Sequence, residues 1–171
     1  MRKRVFTGLI IMFVLVGVAP FVLAIDGSVE SDTLPFTNSA FAVVDDVNLH
    51  YRAWMPKKPV IGKILFVHGL GGSTFSWRYT VDTLQEAGHA VVTVDLPGFG
   101  YSDRTRGLDH SQTARARYLW ALLEELDQTL MPDTDRNQLW NLVGHSMGGG
   151  TITAMALARH ISIRRDGIIC R

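Results

Sequence analysis

Three short runs in this chain are apolar on both faces. Ile64-Leu65-Phe66-Val67, Ala90-Val91-Val92-Thr93-Val94 and Leu139-Trp140-Asn141-Leu142-Val143 carry one polar residue each at most. Such a strand needs helices above and below it, which is the environment of a parallel sheet. The intervals supply those helices. Trp77, Val81 and Leu84 recur at helical spacing, and Gly88 stands where a C-terminal cap belongs. Leu119, Leu122, Leu123, Leu126 and Leu130 form a second stripe, with Asp109 or Ser111 placed to cap its start. Met147 to His160 is rich in Ala, Leu, Met and Ile and reads as a third helix.

Two further strands precede these. Phe41-Ala42-Val43-Val44 and Val47 to Trp54 flank an Asp45-Asp46 turn. The second alternates, with Val47, Leu49, Tyr51 and Ala53 on one side, so the pair reads as an antiparallel hairpin with one solvated face. The order is strand, strand, strand, helix, strand, helix, strand, helix. It predicts an α/β domain with a mostly parallel sheet, helices on both faces and right-handed crossovers.

The N-terminus reads as a targeting segment. Arg2-Lys3-Arg4 precedes Val5 to Ile25, which has no charge. That run is long enough for an uncleaved membrane anchor. Pro20 and the Val22-Leu23-Ala24 end fit a signal peptide cleaved after Ala24 equally well. Either way the basic end stays in the cytoplasm, and the rest is anchored outside it or secreted. Residues 1–25 are thus the membrane-directed segment, 26–40 a polar spacer and 41–171 the globular domain.

Bulk properties narrow the partners. The 171 residues suit one domain, and 17 basic against 16 acidic residues leave a net charge of +1. That balance gives no electrostatic case for nucleic acid. Cys170 is the sole cysteine, so neither an internal disulfide nor a cysteine-rich zinc site is expected. No metal or cofactor is expected on other grounds either.

Chemistry belongs beyond the carboxyl ends of the strands. Three glycine-bearing loops fall there: His68-Gly69-Leu70-Gly71-Gly72, Asp95 to Asp103, and Gly144-His145-Ser146-Met147-Gly148-Gly149. The last matches G-x-S-x-G between a predicted strand and a predicted helix, the context that motif requires. A sharp strand-to-helix corner strains the residue at its apex and lifts the Ser146 hydroxyl clear of the sheet. Gly144 and Gly148 fit where a Cβ would clash. The helix starting at Met147 aims its N-terminal amides toward charge developing near Ser146. Gly148-Gly149-Gly150 in a helix disfavours it by about 1 kcal/mol each relative to Ala, which implies close packing there. The segment Gly69 to Thr74 lacks the third glycine of a dinucleotide fingerprint and any Gly-Lys-Ser/Thr ending, which argues against a nucleotide site.

Taken together, His68-Gly69, the Asp95–Asp103 loop and Gly144-His145-Ser146-Met147-Gly148-Gly149 resemble the α/β-hydrolase superfamily over roughly residues 41–159. The resemblance implies roles. Ser146 is the nucleophile, and the backbone N–H groups of Met147 and Leu70 form the oxyanion hole. His68, Gly69, Gly144, His145 and Gly148 support the elbow and its loop. His145 points away from the nucleophile, and His68 shapes the loop without acting as base. The Asp95–Asp103 loop is structural. His50, His89, His110 and His160 show no partner pattern.

The family's acid and histidine follow the nucleophile in the chain. Here only Gly167-Ile168-Ile169-Cys170 follows the nucleophile helix, so acid, base and cap region are expected to be absent, the fold being cut after about its sixth strand. The complete protein is expected to be a serine hydrolase acting on a small acyl substrate, by default an ester. Carbon–carbon bond hydrolysis and cofactor-free perhydrolysis use the same elbow. Epoxide hydrolases and dehalogenases of this fold carry Asp at the Ser146 position. The opposing reading is a non-catalytic truncated fragment or pseudogene product.

Overall fold

The computed structural model describes Met12, residues 36–57, 59–134 and 138–165, the last six as backbone only. The hairpin comes first: β1 (Ser39–Val44) and β2 (Val47–Trp54) pair antiparallel. Asp45 and Asp46 turn the chain with φ of +49° and +61°. A two-residue turn with both central residues in this region matches the strand twist, and Asp tolerates it. Ser39 and Ala40, read from sequence as the end of the spacer, lie in β1. Ahead of them, Asn38 accepts a hydrogen bond from the Arg52 side chain, whose guanidinium stacks on Phe36.

The apolar runs become β3 (Gly62–Val67), β4 (His89–Val94) and β5 (Trp140–Gly144). The strand order is β1-β2-β4-β3-β5. β3 pairs parallel with β4 and with β5, whereas β2 meets β4 antiparallel. The sheet is therefore mixed and evenly so, which corrects the expected mostly parallel sheet. Seating the hairpin on β4 adds a second antiparallel seam. Five strands are described, and Gly167–Cys170, the expected sixth, lies outside the described residues.

Helices cover both faces. On one, α2 (Gln112–Thr129) and α3 (Met147–Arg165) pack over Leu65, Val67, Val92 and Val94. On the other, Val81 of the short α1 (Val81–Glu86) meets Ile64, Phe66 and Val91, with Trp77 and Leu84 beside them. Alternate residues of β3 thus point to opposite cores, as the pleat requires. Burying apolar area on both sides at about 25 cal/mol per Å² is what commits β3 and β4 to the sheet centre, whereas β5 is the last of the described strands, with Asn141 and Val143 exposed.

Details of the helices differ from the sequence reading. Thr74–Trp77 is a 3-10 turn capped by Ser73, so α1 starts only at Val81. Ser111 caps α2 by accepting from the Ala114 N–H, while Asp109 accepts from Ser111 N–H instead. Leu130 ends α2 as an exposed cap, outside the buried stripe that closes at Leu126. α3 continues to Arg165, past the expected end at His160. Among the described residues no helix is long and apolar enough to cross a membrane. The segment Val5–Ile25 lies outside the described residues apart from Met12.

Candidate active site

β3 and β5 lie side by side and run the same way, with Val67 opposite Gly144. Their carboxyl ends therefore deliver two loops to one place. The His145 N–H donates to the Val67 carbonyl at 3.1 Å, extending the ladder one residue into the turn. Ser146 follows at φ +51°. A non-glycine residue in this region is strained, and such strain gathers at functional corners. The turn leaves Ser146 exposed, and among the described residues its hydroxyl makes no hydrogen bond.

Close approach explains two glycines. A Cβ on Gly148 would strike the carbonyl oxygen of Val67 and lie 2.6 Å from that of His68. A Cβ on Gly69 would lie 2.8 Å from Nδ1 of His145 and 3.2 Å from Cβ of Ser146. The first contact seats the start of α3 on the end of β3. The second brings the Gly69-Leu70 peptide against the Ser146 corner. Gly149 is different, since a Cβ there meets only the Gly144 carbonyl at 3.7 Å. The glycine run of α3 is thus only partly explained by packing, contrary to the sequence reading.

The first turn of α3 uses most of its amides internally. Gly148 N–H donates to His145, and Gly149 and Gly150 N–H both donate to the Ser146 carbonyl. Among the described residues the N–H groups of Met147 and Leu70 donate to nothing. Two free amides thus remain at the site, one at the start of α3 directly after Ser146 and one in the loop after β3.

His68 orients one of them. Its Nε2 is 3.0 Å from the Leu96 N–H, which must be the donor. The neutral ring therefore carries its proton on Nδ1 and donates to the Gly69 carbonyl at 2.7 Å. Burial holds the imidazole pKa below its usual value, against the Gly69 bond and Asp95, which raise it. The Gly69 carbonyl also accepts from Gly72 N–H. That carbonyl and the Leu70 N–H share one rigid peptide plane, so fixing one fixes the other. The exposed His145 ring lies against Gly69, and both line an open hollow of about 490 Å³ with Leu70, Ser76 and Trp77. Ser146 is not part of that lining.

The model of the alpha/beta hydrolase fold matches residues 63–165, more than half of the chain. The chain belongs to the alpha/beta hydrolase family. A pimeloyl-[acyl-carrier protein] methyl ester esterase of Vibrio atlanticus is 37% identical over 94 residues, covering 55% of this chain and 30% of the esterase. The dihydrolipoyllysine-residue acetyltransferase component of an acetoin cleaving system from Cupriavidus necator is 34% identical over 120 residues, 68% of this chain and 28% of that protein. A probable hydrolytic enzyme from Pseudomonas aeruginosa, known by its crystal structure, has a TM-score of 0.59 at 30% identity, covering 70% of this chain and 36% of that one. This alpha/beta hydrolase chain therefore spans about a third of the length of the relatives it matches.

Two supports of the site in this alpha/beta hydrolase escaped the sequence reading. Gln112, at the start of α2, donates to the Met147 carbonyl at 3.3 Å and accepts from Thr151 at 2.6 Å. It latches the first turn of α3 to a different helix. Asp95 reaches back to the loop after β3, taking the Thr74 N–H at 2.6 Å. Neither partner is near in sequence, and a lone Gln or Asp has no pattern that would reveal it.

Proposed function

We propose that Ser146 is the nucleophile of a serine hydrolase acting on a small acyl substrate, an ester by default. The observation that carries this is the Ser146 corner itself: a strained serine at φ +51°, exposed, with unengaged amides at Met147, at the start of α3, and Leu70, in the loop after β3. Oγ attacks the acyl carbon, and the carbonyl oxygen takes up negative charge. We assign the two unengaged amides to that charge, each worth about 3 kcal/mol in the transition state. The leaving alcohol departs, and water releases the acyl group from Ser146.

A serine hydroxyl needs a base. Among the described residues no histidine hydrogen-bonds to the Ser146 hydroxyl. With the chain spanning about a third of its relatives, we place the base and its carboxylate in the remainder of the intact protein. The esterase relative supports acyl chemistry, and Ser146 in place of Asp disfavours epoxide or haloalkane opening. The apolar stretch after Arg2-Lys3-Arg4 supports a domain held at, or released from, the outer side of a membrane.

The test is ester turnover by the intact protein containing this segment. With short p-nitrophenyl esters, Ser146→Ala should lower kcat by about 10³-fold or more with the fold unchanged by circular dichroism. A variant that keeps its rate removes Ser146 from the mechanism. Activity on a vinylogous carbon–carbon substrate but on no ester would replace the ester reading with the carbon–carbon one.

A further inference from the structure

Among the described residues, Ser39 at the start of β1 already has an imidazole and a carboxylate lined up behind its hydroxyl. Ser39 Oγ lies 2.9 Å from Nε2 of His50, and Nδ1 of His50 lies 2.7 Å from Oδ2 of Asp95. An ionised carboxylate can only accept, so the Nδ1 proton belongs to the bond with Asp95. In the neutral ring Nε2 is then the acceptor, and the Ser39 O–H donates to it. This is the tautomer that a serine's general base requires.

The carboxylate is anchored. Asp95 takes the Thr74 N–H on Oδ1 and the Tyr101 N–H at 3.0 Å on Oδ2. Burial pushes its carboxyl pKa up, but the bonds from His50, Tyr101 and Thr74 outweigh that and hold it below the usual range. The imidazole sits between the rings of Phe41 and Tyr101, with centroids 5.4 and 5.2 Å away. His50 and Asp95 are fully buried while Ser39 is half-buried, so Ser39 is the one member of the array with solvent access.

We propose that Ser39 is a second reactive serine, a nucleophile toward small activated acyl and phosphoryl electrophiles with His50 as its base. Oγ forms a bond to the electrophilic carbon or phosphorus as the bond to the leaving group breaks. The Oγ proton passes to Nε2 of His50 and on to the leaving group, and Asp95 steadies the imidazolium in between. A positioned base contributes about 10²–10⁴-fold. The Ser39 backbone N–H is already spent on the Phe36 carbonyl at 3.2 Å. With its own amide engaged, the site lacks the serine N–H that could stabilise an oxyanion, so the adduct forms once and persists. Ser39 is a covalent modification site, separate from turnover at Ser146.

The experiment is labelling of the 171-residue chain, in mild detergent, with diisopropyl fluorophosphate. Peptide mass mapping locates the adduct, which separates Ser39 from Ser146 and lets either reading fail alone. We expect one adduct, on Ser39, forming at least about 10²-fold faster in the folded chain than in urea. An adduct elsewhere, or equal rates folded and unfolded, overturns the proposal. A second measurement guards against a slow probe. In Ser39→Cys, alkylation by iodoacetamide should already be fast at pH 6, because a thiolate paired with His50 titrates below the ordinary value of about 8.5. Adding His50→Gln should restore the ordinary pH profile. An ordinary profile in Ser39→Cys itself contradicts the proposal.

Discussion

Nδ1 of His50 and Oδ2 of Asp95 meet at 2.7 Å, 45 residues apart in sequence, with both side chains fully buried. Asp95 is also the shared acceptor for the Thr74 and Tyr101 amides, so one carboxylate ties β2, the loop after β3 and the loop after β4. Removing it orphans three donors, two of them buried. Asp95→Ala should destabilise the domain by about 3–5 kcal/mol, read from urea unfolding. The pH dependence has a definite sign. The folded pKa of Asp95 is depressed, so its contribution is complete above the unfolded value of about 3.9 and fades as pH falls through the lower folded value. Stability should drop below about pH 4, and Asp95→Asn should flatten that drop.

Gly148 and Gly149 are neighbours in one helix with opposite requirements. A Cβ at Gly148 collides with the Val67 and His68 carbonyls, which are backbone and cannot swing away. Gly148→Ala should therefore cost several kcal/mol, about 3 or more, by shifting α3 off β3. Gly149→Ala meets only a 3.7 Å contact and should stabilise by up to about 1 kcal/mol. Thermal melting of the two variants distinguishes them, and equal losses would contradict the packing described here.

At the other end of the sheet Lys63 is buried on β3 and its Nζ lies 2.9 Å from Asp127. Asp127 also takes the Trp140 Nε1 proton, at 3.2 Å. Truncating the acid leaves an uncompensated ammonium, so Asp127→Ala should cost about 3 kcal/mol. Lys63→Met should cost less, because an apolar chain of similar length suits the site. The reverse ranking in urea unfolding would show that the pair is not the dominant interaction.

The N-terminal segment makes a topological prediction. On the proposed topology, which keeps Arg2-Lys3-Arg4 inside, a reporter enzyme active only outside the cytoplasm should be active when fused to the C-terminus. Intact mass then separates a retained anchor from cleavage after Ala24. A silent, well-expressed reporter contradicts the topology.

What was readable in the sequence follows from range. Periodicity and apolar runs are local, so β3, β4, β5, the α2 stripe and a cap at Asp109 or Ser111 could be placed without partners. The corner at Ser146 was readable because the glycines two residues away mark the close backbone approach that such a corner needs. Strand order was not, since the choice of β4 over β3 as the neighbour of β2 depends on contacts far apart in sequence, such as Tyr51 with Val94, 43 residues on. His50 had no visible partner for the same reason. Gln112 and Asp95 support the site through long-range bonds, and a single polar residue carries no period.

The central claim is that Ser146 carries the acyl group. Its most direct test is to mix the intact protein carrying Ser39→Ala, which removes the second acylation site proposed above, with p-nitrophenyl acetate, quench it within the first turnovers and map the covalent adduct by peptide mass. The account predicts a burst of about one equivalent of p-nitrophenol and an acetyl group on the peptide containing Ser146, both lost in Ser146→Ala. A burst whose acetyl group maps to another residue, or full turnover in Ser146→Ala, would contradict it.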